Sequence, residues 1–344
     1  MSAALIGLNV CVAAITLLGL GYFARVRMPR PPVGKYEPPD VLVVMAVVML
    51  APLLYLELPR TAVAVVFGLV LCAALQFTLA PLLGGLGATL LAVLAVAVTG
   101  GLALADRTLA VLVLTDVLLA VAVVGVATMW AQSGFKSVHT AWFAGLLAVY
   151  DLLATGLSSV MDRFAAQVMG LPFAPLLAVT RGDPPVALGL GDLLLIVLFP
   201  LVAAKAYGRA AALLAVALGV LASSAISVLF ATGTLTGAFP LMVVLGPVVV
   251  AQHLYWVRRT GRERTTAEWR AGALAAVPVT AASPVLLAAL GTPGAPGDLH
   301  ERARPGDWVA LLDGEVVGTG PSAGSARKDA ARRGAGAVPL VRQV

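Results

Sequence analysis

Residues 189–204 read Gly189-Leu190-Gly191-Asp192-Leu193-Leu194-Leu195-Ile196-Val197-Leu198-Phe199-Pro200-Leu201-Val202-Ala203-Ala204. One acid stands near the start of an otherwise uninterrupted apolar run. A helix needs roughly 20 apolar residues to cross a bilayer's hydrocarbon core, and this stretch has that composition. A carboxylate near the bilayer centre costs about 3 kcal/mol on insertion scales, so an intramembrane acid is by default a functional residue. The apolar stretch before it holds a second acid, Asp151, preceded by Tyr150. Two acids on consecutive spans form the pattern of an acid/base pair.

The whole chain fits a membrane environment. It is 60% hydrophobic and 12% charged, with a mean hydropathy of +0.98, far from the balance of a soluble domain. Of its 17 acidic residues, only Asp116, Asp151 and Asp192 fall well inside apolar stretches. Cys11 and Cys72 also lie in apolar stretches, which excludes a disulfide framework or a cysteine metal site. His139, His253 and His300 are scattered along the chain, and no metal or other cofactor is expected. The pI near 9.7 comes mostly from arginines flanking spans, and it points to membrane orientation and a lipid partner, not to nucleic acid.

Hydropathy predicts an all-α polytopic membrane protein of nine spans, at about 3–24, 41–57, 61–82, 86–105, 108–129, 140–161, 186–204, 209–231 and 238–257. The first lacks the basic start and small-residue cleavage site of a signal peptide, so it is read as a retained helix. With the N-terminus outside, the outside loops hold only Arg60, Arg107, Arg163 and Arg181, and all other basic residues up to Arg270 fall inside. The expected orientation is therefore N-terminus out, with the end of the ninth span cytoplasmic. Residues 258–300 read as a linker containing a possible tenth segment at 271–291, interrupted by Pro278 and Pro284. Residues 301–344 change character: Trp308–Leu312 and Glu315–Val317 around Asp313-Gly314 predict a hairpin, followed by a short helix and a third strand. This small ββαβ module resembles a short domain of unknown function found in microbial proteins, and it carries no catalytic constellation.

The two acids can meet. Asp151 lies about ten residues before the outer end of its span and Asp192 about six after the outer start of the next, so at 1.5 Å per residue they sit roughly 15 and 9 Å deep from one face. Two carboxyls a few ångströms apart share one proton. One then takes a proton from an attacking water while the other protonates the developing oxyanion or leaving amine, and no covalent intermediate is needed. Gly189 and Gly191 remove side chains beside Asp192, which allows the helix start to loosen and a backbone to come close.

Tyr150-Asp151, then Gly189-Leu190-Gly191-Asp192, then Pro240-Leu241-Met242 followed by Pro247, resemble the presenilin and signal peptide peptidase family, most closely its archaeal and bacterial members. Ala174-Pro175-Leu176-Leu177 is similar to the stretch ahead of that family's second aspartate. The resemblance covers residues 1–257 and implies an intramembrane aspartic endopeptidase in a prokaryotic cell membrane. Asp151 and Asp192 would be its catalytic pair, supported by Tyr150, Gly189, Leu190, Gly191, Pro240, Leu241 and Met242. Its partners would be transmembrane peptide or protein segments, such as signal-peptide remnants and single-span anchors. The family's proline motif has Ala-Leu where this chain has Leu241-Met242.

Two other classes compete. Prepilin and preflagellin peptidases also use a glycine-rich aspartate motif, but they carry a lysine two residues after the aspartate, where this chain has Leu194. A proton-coupled transporter would use the same carboxylates as proton or cation ligands. Asp116 is read as a helix-end or interhelical hydrogen-bond partner outside the pair. Ser158, Ser159, Ser223 and Ser224 are read as interhelical contacts, with no histidine or lysine placed to activate them.

Overall fold

The computed structural model describes residues 3–28, 38–158, 160–178, 187–235, 239–272, 307–312, 315–320, 323–332 and 340–343. The chain divides into two units, Met1–Val277 and Pro278–Val344.

The first unit is built from helices α1 (Ala3–Arg25), α2 (Pro38–Leu56), α3 (Arg60–Leu104), α4 (Thr108–Gln132), α5 (Ser137–Asp151), α6 (Val160–Val168), α7 (Leu190–Tyr207), α8 (Arg209–Ala231), α9 (Met242–Thr260) and the short α10 (Thr266–Arg270). A π-helical turn, Leu152–Gly156, continues α5, and two three-residue strands, β1 (Leu176–Ala178) and β2 (Ala187–Gly189), precede α7.

Six of the described helical stretches are long and apolar enough to cross a membrane: α1, α3, α4, α5 with its π turn, α7 and α8. The expected spans 61–82 and 86–105 fall on one 45-residue element, α3, broken where Gly84 leaves helical geometry at φ 75°. Gly84 reaches this backbone region without a Cβ penalty, and it lies in the short gap that hydropathy leaves between the two expected spans. The expected ninth span corresponds to α9, whose Gln252, His253, Arg258 and Arg259 dilute its apolar character. The expected span 140–161 corresponds to α5 with its π turn, Ser137–Gly156, which ends before the amphipathic α6 begins at Val160. The tenth-segment expectation at 271–291 lies almost entirely outside the described residues.

α7 is apolar on every face, the pattern of a helix surrounded by protein. From Leu193 to Tyr207 nearly every side chain is buried, and α1, α4, α5, α8 and α9 all pack on it. The outer helices bury one stripe only. On α4, Val111, Thr115, Leu118 and Ala122 face inward, while Leu109, Val113 and Val117 are exposed at i, i+4 and i+8, as lipid contact requires. Small residues set the closest approach: a Cβ on Gly125 of α4 would collide with Thr78 of α3. Gln132 closes the end of α1. Its amide donates to the Val26 carbonyl at 2.8 Å, and its oxygen accepts the Met28 N–H at 3.0 Å, serving backbone groups that a helix end leaves unpaired.

In the second unit, β3 (Trp308–Leu312), β4 (Glu315–Gly320) and β5 (Leu340–Gln343) form an antiparallel sheet of order β4-β3-β5. Helix α11 (Ala323–Arg332) packs Ala326 and Ala330 on Ala310. The turn expected at Asp313-Gly314 lies outside the described residues.

Candidate functional site

Asp151 stands where α5 widens into its π turn, and Asp192 in the first turn of α7. Asp151 is the last residue of α5, where the chain passes into the π turn closed by Leu157 N–H on the Leu152 carbonyl at 3.0 Å. Such wide turns often mark functional positions. Asp192 lies in the first turn of α7, where the exposed backbone N–H groups favour an anion. The chain supplies α5 and α7 from segments some forty residues apart, yet the two carboxyls are close enough for their charges to interact.

Asp151 is held from two sides. The Thr155 hydroxyl donates to Oδ1 at 2.9 Å, and the Met242 backbone N–H donates to Oδ2 at 3.0 Å. Met242 is the first residue of α9, so the Pro240-Leu241-Met242 segment aims an otherwise orphan helix N–H at the carboxylate. Pro240 itself accepts the Val243 N–H, and Leu241 and Met242 are buried in the main core. α9 comes this close because Gly246 lies directly on α5: a Cβ there would sit 2.7 Å from the Ala144 carbonyl oxygen and 2.7 Å from the Ala148 Cβ. Thr155 and Gly246 escape sequence reasoning. The signal available for the latter was the Ala144/Ala148 pair of small residues at i, i+4, the spacing of close helix contacts in membranes.

The glycines act differently from the sequence expectation. The helix start is not loosened, because Gly189 is extended (φ −63°, ψ 147°) and serves both as the last residue of β2 and as the N-cap of α7. Its missing side chain matters for space, since a Cβ would stand 3.3 Å from Asp192 Oδ2. Gly191 is exposed, and among the described residues nothing lies within 4 Å of where its Cβ would be. Leu190 donates its N–H to the Pro175 carbonyl at 2.9 Å, fixing the entry to α7 against the segment before β1. The Tyr150 hydroxyl is buried, has no hydrogen-bond partner among the described residues, and lies within electrostatic reach of Asp151. A buried phenol normally finds a partner, so this hydroxyl is available to a bound molecule or water.

A second polar cluster sits at the opposite ends of the same helices. Lys205, 2% exposed near the end of α7, donates to the carbonyls of Ala131 and Phe135 at the end of α4. Ser137, at the start of α5, gives its N–H to Glu263 at 2.8 Å, and its hydroxyl lies 2.8 Å from His253 Nδ1. Arg264 reaches the Ala204 carbonyl at 2.6 Å. Burial pushes the Glu263 carboxyl above its ordinary range, partly offset by the Ser137 N–H and the nearby Lys205 charge. Burial likewise lowers Arg264. On the exposed rim, the Arg262 hydrogen bond holds Glu268 down to about 2. Among the described residues no group of three or more His, Cys, Asp or Glu side chains could hold a metal ion.

In comparisons with protein-family profiles, with curated proteins and with solved structures, nothing matches this chain.

Proposed function

We propose that this protein is an intramembrane aspartic endopeptidase that hydrolyses peptide bonds within transmembrane segments. One observation carries the reading: two acids from separate apolar segments lie within charge–charge reach at adjoining helix ends, and one of them is gripped by the N–H that the proline segment supplies. A carboxyl pair of this kind holds one proton between its members. In the proposed cycle, Asp151 keeps two donors, Thr155 and Met242, which favour its ionised form, so it is the base that draws a proton from water. Asp192 is the acid that protonates the carbonyl oxygen; as the tetrahedral centre collapses it takes that proton back, and Asp151 passes the proton it drew from water to the leaving amine. Tyr150 supplies a hydroxyl to the developing tetrahedral centre. Substrates would be single-span anchors or signal-peptide remnants, unwound at the site because a helical peptide bond is already hydrogen-bonded.

The proposed topology has nine crossings. To the six long apolar helices it adds α2, α9 and a second crossing from α3, divided at Gly84, with the N-terminus outside and the Lys205 end cytoplasmic. Residues 301–344 would then form a ββαβ module that recruits or screens substrates.

The test is cleavage of a reporter transmembrane peptide by purified protein, wild type against Asp151→Ala and Asp192→Ala. Loss of activity in both, with inhibition of the wild type by an aspartic-protease transition-state analogue, supports the dyad. Cleavage that survives either substitution removes it. Wild-type protein that cleaves none of several peptides redirects the same two aspartates to proton-coupled transport assays.

A further inference from the structure

The outer face of α9 changes chemistry along its length. Its exposed residues Val244, Ala251, Leu254, Tyr255, Arg258 and Arg259 fall at i, i+7, i+10, i+11, i+14 and i+15, so they share one stripe of the helix. The buried residues, among them Leu245, Gly246, Val249 and Gln252, lie on the other side, against the rest of the bundle. The stripe is apolar until its last turn, where two arginines end it.

Arg259 is held in place. Its Nη1 donates to the Tyr255 hydroxyl at 2.6 Å, and its guanidinium carbon lies 5.6 Å from the Trp256 ring centroid and 5.9 Å from that of Tyr255, within cation–π reach of both. A guanidinium carries five N–H donors, so most of its capacity is left over. Arg258 beside it has no hydrogen-bond or charge partner among the described residues. The two acids that follow α9 are committed elsewhere: Glu263 accepts the Ser137 N–H, and Glu268 pairs with Arg262. Two adjacent cations thus stand without a carboxylate among the described residues. An open cavity of about 470 Å³ lies against both arginines and against Tyr255, Leu254 and Ala251.

This is the outline of a lipid with a charged head. Paired guanidinium groups match the oxygens of a phosphate, and the apolar stripe matches an acyl chain. Half the hydrocarbon core is about 15 Å, or about ten helical residues, so a tail starting at Arg258 runs past Leu254 and Ala251. Tyr255 and Trp256 at the junction are of the types that settle at a membrane–water boundary. A choline or ethanolamine headgroup would bring its own cation up to the arginines, whereas a phospholipid of net negative charge does not. A soluble anion would leave the stripe uncovered.

We propose that the last turns of α9 bind an anionic phospholipid, with its phosphate on Arg258 and Arg259 and one acyl chain along Leu254 and Ala251. The site needs α9 to lie in the membrane and is independent of the protease reading. It stands about 24 Å along the helix from Met242, so the lipid fastens the end of α9 remote from the carboxylates and takes no part in their chemistry.

The experiment titrates full-length protein in detergent with phosphatidylglycerol, and with phosphatidylcholine of the same chains, and counts bound lipid by native mass spectrometry. Phosphatidylglycerol should bind about tenfold more tightly, and Arg258→Gln/Arg259→Gln should weaken it by about thirtyfold, the scale for two arginines at an anionic lipid surface. Arg107→Gln/Arg163→Gln removes the same charge from exposed arginines on other elements and should stay within about threefold of wild type, because distant charges are screened. All four arginines are exposed, so neither double variant puts folding at risk. Phosphatidylglycerol should also raise the melting temperature of wild type and of Arg107→Gln/Arg163→Gln, but not of Arg258→Gln/Arg259→Gln. Equal affinity for the two lipids overturns the proposal, as does equal binding by the two double variants, which would reduce the effect to net charge. Displacement of the lipid by inorganic phosphate overturns it in favour of a soluble anion, and lipid-free dimers overturn it in favour of a second copy of the chain. No cleavage is measured, so failure here and failure of the protease reading are told apart.

Discussion

Helices α5, α7 and α9 each carry polar groups at both ends, and the two ends are finished differently. At one end stand Asp151, Asp192 and the N–H of Met242, and among the described residues the Tyr150 hydroxyl has no partner and nothing lies beside Gly191. At the other, Ser137, Lys205 and His253 are engaged with Glu263, Tyr207 and the carbonyls of α4. The same three helices thus carry a charged cluster that is tied off and another that is left accessible. The difference lies in the charged groups: Lys205 and Glu263 bind backbone groups inside the fold, whereas Asp151 and Asp192 face each other. Leftover hydrogen-bonding capacity does not divide the ends, since Gln252 Oε1 and Trp256 Nε1 at the tied-off end are also buried without a partner among the described residues.

The comparison can be broken most sharply at the accessible end. Asp151→Ala and Asp192→Ala should each lower cleavage of a transmembrane reporter by about a thousandfold, the scale of losing a general acid or base. Thermal stability should not fall with it, because each substitution removes a costly intramembrane acid. A large drop in melting temperature for either variant would assign these residues to the structural class instead.

At the tied-off end the opposite ranking is expected. Lys205→Met strips the α4 carbonyls of their buried donor and should cost about 2–3 kcal/mol, the range for hydrogen bonds to a charged group. Chemical denaturation of the detergent-solubilised protein measures this. The fraction that remains folded should bind a transition-state analogue with wild-type affinity.

Gly246→Ala probes the join between the two ends, because it forces α9 away from Ala144 and Ala148. Overpacking of this kind costs roughly 1–3 kcal/mol. Here it should also lengthen the Met242–Asp151 contact, so kcat falls while KM holds. A stability loss with unchanged kcat would uncouple the helix spacing from the carboxylate.

The smallest effects belong to the two acids that follow α9, Glu263 in the tied-off cluster and Glu268 on its exposed rim. Glu263 has a raised folded-state value, so its favourable contribution is complete below about pH 4.5 and is lost as pH rises through that higher value. Glu268 is depressed to about 2, so its contribution is present above about pH 4.5 and is lost as pH falls toward 2. Melting curves of Glu263→Gln should therefore gain on wild type as pH rises from 4 to 8. Those of Glu268→Gln should lie slightly below wild type above about pH 4.5 and converge with it near pH 2, the gap being small because the Arg262–Glu268 pair is solvent-exposed. Gaps that run the other way would reverse the assignment of which acid is burdened and which is supported.

What could be read from the sequence divides along physical lines. Apolar runs announce membrane helices because the hydrocarbon core demands length and composition, and both are local. The acids Asp116, Asp151 and Asp192 stand out for the same reason. The π turn after Asp151 and the extended Gly189 are conformational choices that hydropathy averages away. Thr155 is close to Asp151 in sequence but looks like any threonine in an apolar helix. The bonds Asp116–Ala178 and Lys205–Ala131 join a side chain to a backbone group some 60 to 75 residues distant. Backbone groups are identical at every position, so no residue type marks the partner.

One consequence of α7 concerns polarity of another kind. Its 18 residues span about 27 Å, with an acidic side chain in its first turn, charged whenever the dyad's proton rests on Asp151, and a basic one in its last. Both charges therefore oppose the partial charges that the helix itself carries at those ends. The rod behaves like a compass needle whose painted tips agree with its magnetisation. Exchanging the two residues, with Asp192→Lys and Lys205→Asp together, preserves net charge, length and hydropathy, yet sets both tips against the needle. Equal composition is thus no guarantee of equal insertion: this helix encodes a direction as well as a span.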